Sequence, residues 1–472
     1  MRDYYRAVRG ALNLSRDCNT PCCSVRVTAL LATMLLAELV AAQTAAPPAP
    51  TTPTERRRAQ APRMVEGMRI VPIQLNESGL MATLVRAGFP PVAESMRAEY
   101  ERAMSPAWSA YRTCWSSTVD APVAAFQAEL LKTISEAGYP ATHQSSQIPP
   151  LRMAANECDR VLITAACSAA LGGLIPELDE RLPAAIALRR ADAAAASIAT
   201  SFPGSSRPFI AVSAGLDALG AVSEANREAA RKILLADAGA RADVAERYAF
   251  EWLHGSIFLA PATALEAQRA SAAHSEEIDA MKVAGVAMAI QLRGSAHELA
   301  RLATLDESIV TALRGALPAR EAHTIANALE KSVPGSTGRQ PLATDVAKCV
   351  ASALSLPGVT AEQRAALDGV LDQWMREDLD RYTRELQTSA RLHRALAERA
   401  MRLVASEPTT WSLADAGGAQ QEQMTAAYGN LSERRRIADE AARRIEGIIG
   451  SEAWKSIAPT PMQGAGKPRA SG

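Results

Sequence analysis

Aromatic side chains make up only 4% of this 472-residue chain, and no convincing alternation of apolar and polar residues marks a strand. A surplus of either charge is also missing: Lys plus Arg equal Asp plus Glu at 51 each. Residues 43–472 carry 46 basic and 48 acidic groups, which leaves no electrostatic footprint for nucleic acid. The triplet Arg56-Arg57-Arg58 sits in a Pro/Thr-rich stretch and reads as a solvated linker cluster. A phosphate-cradling glycine loop, a Gly-x-Ser-x-Gly elbow and, beyond the leader, a Cys-x-x-Cys pair are all lacking. His297-Glu298 opens a zinc-protease pattern, but Arg301 stands where the second histidine is needed. Glu251 and His254 have the i, i+3 spacing of a di-iron bundle, yet no second such pair exists. These absences argue against an enzyme, a cofactor and a metal centre.

Alanine is the dominant small apolar residue. It loses no side-chain entropy in a helix and lets helices approach closely, so the expected fold is all-α, with multi-helix bundles and long antiparallel helix hairpins. The apolar run Val27–Ala37 follows Arg26 and precedes Val40-Ala41-Ala42. It is too short for a bilayer, which takes about 20 residues, and has the form of a signal peptide over 1–42, cleaved after Ala42. The long region before it contains Cys18, Cys22 and Cys23, and initiation at Val25 would leave a compact signal. The expected location is extracytoplasmic, either periplasmic or secreted, with no stable membrane span after cleavage.

Punctuation divides the rest. Residues 43–63 form a disordered Ala/Pro/Thr-rich linker, and 64–205 and 206–335 form helical domains separated by the Pro/Gly-bearing stretch 201–208. A long helical hairpin follows over 341–457, then a disordered tail over 458–472. In the first domain, Val92, Met96, Tyr100, Met104, Trp108, Tyr111, Trp115 and Val119 keep helical spacing, as one kinked helix or as two divided at Ser105-Pro106. In the hairpin, 48 residues from Val359 to Ser406 contain no proline and would span roughly 72 Å. Their seam of Met375, Leu379, Tyr382, Leu386, Leu396, Ala400 and Leu403 is heptad-like but broken by Ser389 and His393.

Four cysteines lie beyond the leader: Cys114, Cys158, Cys167 and Cys349. On one helix, Cys158 and Cys167 would stand roughly 13 Å apart on opposite faces, too far to bond each other. Cys114 paired with one of these two is one expectation, and four buried thiols the other.

One motif resembles a known family. Val359-Thr360-Ala361-Glu362-Gln363 is similar to the LTxxQ motif of the Spy/CpxP-type periplasmic chaperones, and Val222-Ser223-Glu224-Ala225-Asn226 is a fainter echo 137 positions upstream. Both copies carry Val for Leu, and the first carries Ser and Asn for Thr and Gln. The resemblance covers about a tenth of the chain and implies ATP-independent binding of unfolded protein clients or envelope proteins by a helical homodimer. Thr360 with Gln363, and Ser223 with Asn226, also read as simple helix-capping boxes. The alternative function is a structural scaffold that self-associates through the long helix 359–406.

Overall fold

The computed structural model describes residues 74–87, 94–137, 148–169, 178–201, 209–254, 280–333, 345–406 and 413–457. The signal segment 1–42, the linker 43–63 and the tail 458–472 lie outside the described residues. Among those described the fold is all-α, with no strand. In chain order the helices are α1 (Glu77–Arg86), α2 (Glu94–Trp115), α3 (Ala121–Ala137), α4 (Ile148–Ser168), α5 (Leu178–Ser201), α6 (Val212–Asp217) and α7 (Glu224–Leu235). Then come α8 (Ala238–His254), α9 (Ala280–Ala316), α10 (Ala319–Ser332), α11 (Val346–Leu354), α12 (Ala361–Ala405), α13 (Leu413–Ile449) and α14 (Ser451–Ile457). No helix among these residues is long and apolar enough to cross a membrane.

Local chemistry sets several boundaries. Asn76 caps α1 by accepting from the Gly79 N–H at 2.7 Å, and Asp345 caps α11 by accepting from Lys348 N–H at 3.1 Å. Gly450, with φ near +86°, ends α13 in a conformation that disfavours any side chain, and α14 starts at once. Proline does not break α2: one helix runs through Pro106 and passes at Trp115 into a π-turn, Ser116–Asp120, before α3. Pro183 likewise lies inside α5, while Pro318 occupies the cap position of α10.

The first core is built from the aromatic stripe of α2. Tyr100, Met104, Trp108, Tyr111, Trp115 and Val119 are buried against α1, α4 and α5. Trp108 meets Tyr111 edge-on at 5.6 Å, and the Tyr111 hydroxyl accepts from the Leu75 N–H at 2.9 Å. Cys114 of α2 is disulfide-bonded to Cys158 of α4, with Cα atoms 5.4 Å apart. Cys167 and Cys349 take no part in this bond.

The central core draws on all three stretches that the sequence punctuation divides. Ala187 and Leu188 of α5, Leu313 of α9, Ile325 and Leu329 of α10, and Leu379, Tyr382 and Leu386 of α12 belong to one cluster. The long helix thus places the apolar half of its seam inside its own chain. Arg314 meets Asp380, Gln387 meets Glu307 and Arg394 meets Thr304, so α9 and α12 run in opposite directions. On another side, Gln363 reaches Ile448, Arg384 reaches Glu433 and Arg399 reaches Glu422, so α13 also returns antiparallel along α12. The α12 base, α11 and α13 close a third cluster around Val350, Leu367, Ala441 and Ile445. Self-association through α12 would have to use the faces that α9, α10 and α13 leave open.

Candidate functional site

Two networks of buried charge stand out against cores made largely of alanine and leucine. In the first, Arg190 of α5 grips Asp159 of α4 with two bonds, Nε to Oδ2 at 2.6 Å and Nη2 to Oδ1 at 2.8 Å. Its Nη1 lies 3.4 Å from Glu246 of α8, whose other oxygen accepts from Arg152 Nε at 3.1 Å. Arg152 also contacts Asp243. Burial pulls the Arg190 guanidinium pKa down, but the bond to Asp159 and the charges of Asp159 and Glu246 outweigh it, so the group stays charged. This network fastens α4, α5 and α8 together.

The second network lies where α8, α9, α10 and α12 meet. Arg381, 1% exposed, holds both oxygens of Glu330 at 3.1 and 3.0 Å, Asp378 at 2.7 Å and Glu385 at 2.6 Å. His323 Nε2 lies 3.0 Å from the other Asp378 oxygen, and its ring packs on Trp374 with centroids 4.9 Å apart. Burial would raise the Asp378 carboxyl; the His323 hydrogen bond and the Arg381 charge override it and hold Asp378 well below the ordinary range. Beside it, Arg241 Nη2 donates to Asp306, while Nε and Nη1 of Arg241 meet no acceptor among the described residues.

A cavity of about 210 Å³ opens against this second network. Its polar wall is Asp306, Glu330, Tyr382, Glu385, Ser389 and His393. Its apolar wall includes Phe209, Leu299, Leu302 and Leu386. Ser389 Oγ lies 3.2 Å from His393 Nδ1, and burial holds the His393 imidazole down at about 4, so it is neutral near pH 7. Burial also pushes the Tyr382 phenol well up, and the charges of Glu330, Asp306 and Glu385 push it further against the opposing Arg381.

None of the residues singled out as caps or cysteines lines the cavity. Thr360 and Gln363 form a reciprocal cap at the start of α12: Thr360 N–H donates to Gln363 Oε1 at 3.0 Å, and Gln363 N–H donates to Thr360 Oγ1 at 3.1 Å. Gln363 Nε2 then donates to the Ile448 carbonyl at 2.9 Å, which ties this cap to the end of α13. Ser223 and Asn226 are arranged differently, and the capping-box reading needs correction there. Ser223 occupies the cap position of α7, but its side chain makes no cap hydrogen bond. Glu321 of α10 substitutes, accepting from the Ser223 N–H at 3.1 Å and from Asn226 Nδ2 at 2.8 Å. Asn is one methylene shorter than Gln, which limits how far its amide can reach back, and a stronger acceptor stands opposite it.

Of the two metal patterns, the zinc-protease one resolves into another contact. Glu298 pairs with Arg301 at 2.9 Å, the residue that replaces the second histidine of the zinc pattern. Glu251 lies in α8, and the His254 side chain lies outside those described. Among the described residues, no three His, Cys, Asp or Glu side chains converge as a metal site. The sequence signal for the cavity was the pair of polar interruptions, Ser389 and His393, in an otherwise apolar seam.

No family model matches this chain, and no curated protein or solved structure matches it significantly.

Proposed function

We propose that this is an extracytoplasmic helical binding protein that holds protein clients or envelope partners without ATP. The observation that carries the reading is the character of the exposed apolar side chains. Met96, Met153 and Met401 stand at the surface of α2, α4 and α12, Met153 being 70% exposed, with Val85 and Tyr428 the other large apolar groups so placed among the described residues. Methionine is unbranched and polarizable, so it adapts to many partner surfaces at small steric cost. The Cys114–Cys158 disulfide supports an oxidising compartment, where such bonds persist. The Thr360–Gln363 cap keeps the chaperone-like resemblance in play, since it ties the start of α12 to the end of α13 rather than closing an isolated helix end.

The test is aggregation suppression, without nucleotide, on two unrelated unfolding proteins. The purified protein should protect both at near-stoichiometric ratios. Replacing Met96, Met153 and Met401 together by Ser should remove most of that protection and leave the melting temperature within a few degrees. Undiminished protection by the triple variant would sever the link between these methionines and client binding.

A further inference from the structure

Three of the polar residues that line the cavity between α9, α10 and α12 carry no charge: Tyr382, Ser389 and His393. We propose that this cavity binds a small neutral phenol, its ring against the apolar wall and its hydroxyl at the end formed by these three residues. The inference is independent of client binding.

Burial keeps the Tyr382 phenol protonated and the His393 imidazole neutral near pH 7. His393 Nδ1 is taken up by Ser389 Oγ at 3.2 Å. Among the described residues, neither His393 Nε2 nor the Tyr382 hydroxyl has a hydrogen-bond partner. The acidic residues of the same wall are committed elsewhere, Asp306 to Arg241, and Glu330 and Glu385 to Arg381.

This neutral end selects the head group. A charged head would shed its water against acidic groups already paired and against others that carry no charge, a cost that a neutral head avoids. An imidazole Nε2 either donates or accepts, according to which ring nitrogen holds the proton, and a tyrosine hydroxyl does both. A ligand hydroxyl also does both, so it meets Nε2 in either tautomer, whereas a ketone or an ether meets it in only one.

The body follows from the other wall. A protein cavity of about 150 Å³ is enough to hold benzene. The 210 Å³ here leaves room for such a ring with a hydroxyl and a methyl group. Phe209, Leu299, Leu302 and Leu386, all at least nine-tenths buried, supply the apolar surface. The rings of Phe209, Tyr382 and His393 favour an aromatic body over a flexible chain. Its desolvation is the main source of affinity.

Calorimetric titration of the full chain at pH 7 with p-cresol and toluene, which differ only by the hydroxyl, tests this. The phenol should bind one to one, and toluene about tenfold or more weakly, because it leaves the polar end unpaired. His393→Leu should remove most of the preference for p-cresol while toluene affinity stays within about threefold; a general loss of packing would weaken both ligands alike. Tyr382→Phe should reduce the preference by a smaller factor, about threefold, and keeps the test alive if His393→Leu does not fold. Ala303 also lines the cavity, so Ala303→Leu should fill it and abolish binding of both ligands. Equal affinity for p-cresol and toluene in the unaltered protein would overturn the proposal, as would the absence of saturable p-cresol binding. A preference that survives undiminished in every folded variant of His393 and Tyr382 would overturn it too.

Discussion

The bundle of α2, α4, α5 and α8 and the junction of α9, α10 and α12 each bury a charge network but protect it differently. The bundle sets its Arg190–Asp159–Glu246 network beside aromatic rings and a disulfide, with the Arg190 guanidinium 6.0 Å from the Trp115 ring centroid. The junction has no covalent link among the described residues; one arginine, Arg381, serves three carboxylates beside a cavity. A cross-link lowers the entropy of the unfolded chain whatever the pH. A buried charge cluster holds only while every partner is present and in the right protonation state. The bundle should therefore answer to redox conditions, and the junction to pH and to single substitutions.

The largest effect should come from breaking the junction's hub. Arg381→Met leaves Glu330 and Asp378 buried without their main cation, which should cost about 3–5 kcal/mol in denaturant unfolding. Adding Glu330→Leu and Asp378→Leu to it should recover part of that loss, because the desolvated carboxylates disappear as well. A triple variant no more stable than the single one would mean that shape, not charge, governs the junction.

The disulfide comes next. Cys114→Ser or treatment of the unaltered protein with reductant should each cost about 2–4 kcal/mol, for a bond that closes a separation of 44 residues. Reductant should then have no effect on Cys114→Ser. If α2 and α4 lose the bond without a change in unfolding, the aromatic packing around Trp108 and Tyr111 is sufficient for the bundle.

A smaller effect separates the regions by pH. The His393 imidazole titrates at about 4 in the fold, against an ordinary 6.5, because burial penalises its charged form. The unfolded chain thus binds more protons between these values. The stability from neutral His393 is complete above about 6.5 and is lost as pH falls towards 4, by about 1–3 kcal/mol. Asp378 adds to this at lower pH: its depressed value gives stability that is present above the ordinary carboxylate range and is lost as pH falls below it. His393→Leu should flatten the stability profile between pH 4 and 6.5 and leave the disulfide's contribution untouched.

How far the sequence disclosed this molecule follows from the range of each signal. Helical periodicity is local, and it made the all-α class and the aromatic stripe of α2 legible before any coordinates. The caps at Asn76 and Asp345 are as local, but a single Asx before a helix is too common to mark one. Partners across helices were beyond reach: nothing in Arg381 announces Glu330, 51 positions away, or sets it apart from the exposed Arg384. The seam of α12 shows the boundary between the two cases. Its spacing was readable and its polar breaks at Ser389 and His393 were visible, but those breaks looked like weakness in a coiled coil. Their reason is the cavity, which exists only once α9 and α10 are in place.

The two copies of the short motif give the smallest contrast and the sharpest one. Apart from the exchanged middle pair, Glu224-Ala225 against Ala361-Glu362, their sequences differ by one methyl group on the cap residue and one methylene on its partner, and the structure answers them differently. At Thr360 the cap is self-contained, so Thr360→Ala should cost about 0.5–2 kcal/mol, and Gln363→Ala should cost more, since it also frees the Ile448 carbonyl. At Ser223 the role passes to Glu321, whose carboxyl burial pushes up and whose bonds from Ser223 and Asn226 hold below the ordinary value. Ser223→Ala should then cost less than Thr360→Ala, and Glu321→Ala should cost about 1 kcal/mol, with thermal melts of the four variants as the measure. If Ser223→Ala matched Thr360→Ala, the hydroxyl would be capping α7 in solution, and the two segments would be equivalent after all. With the predicted order, only the Thr360 copy is a functioning cap box, and comparison with the LTxxQ chaperones rests on that copy alone.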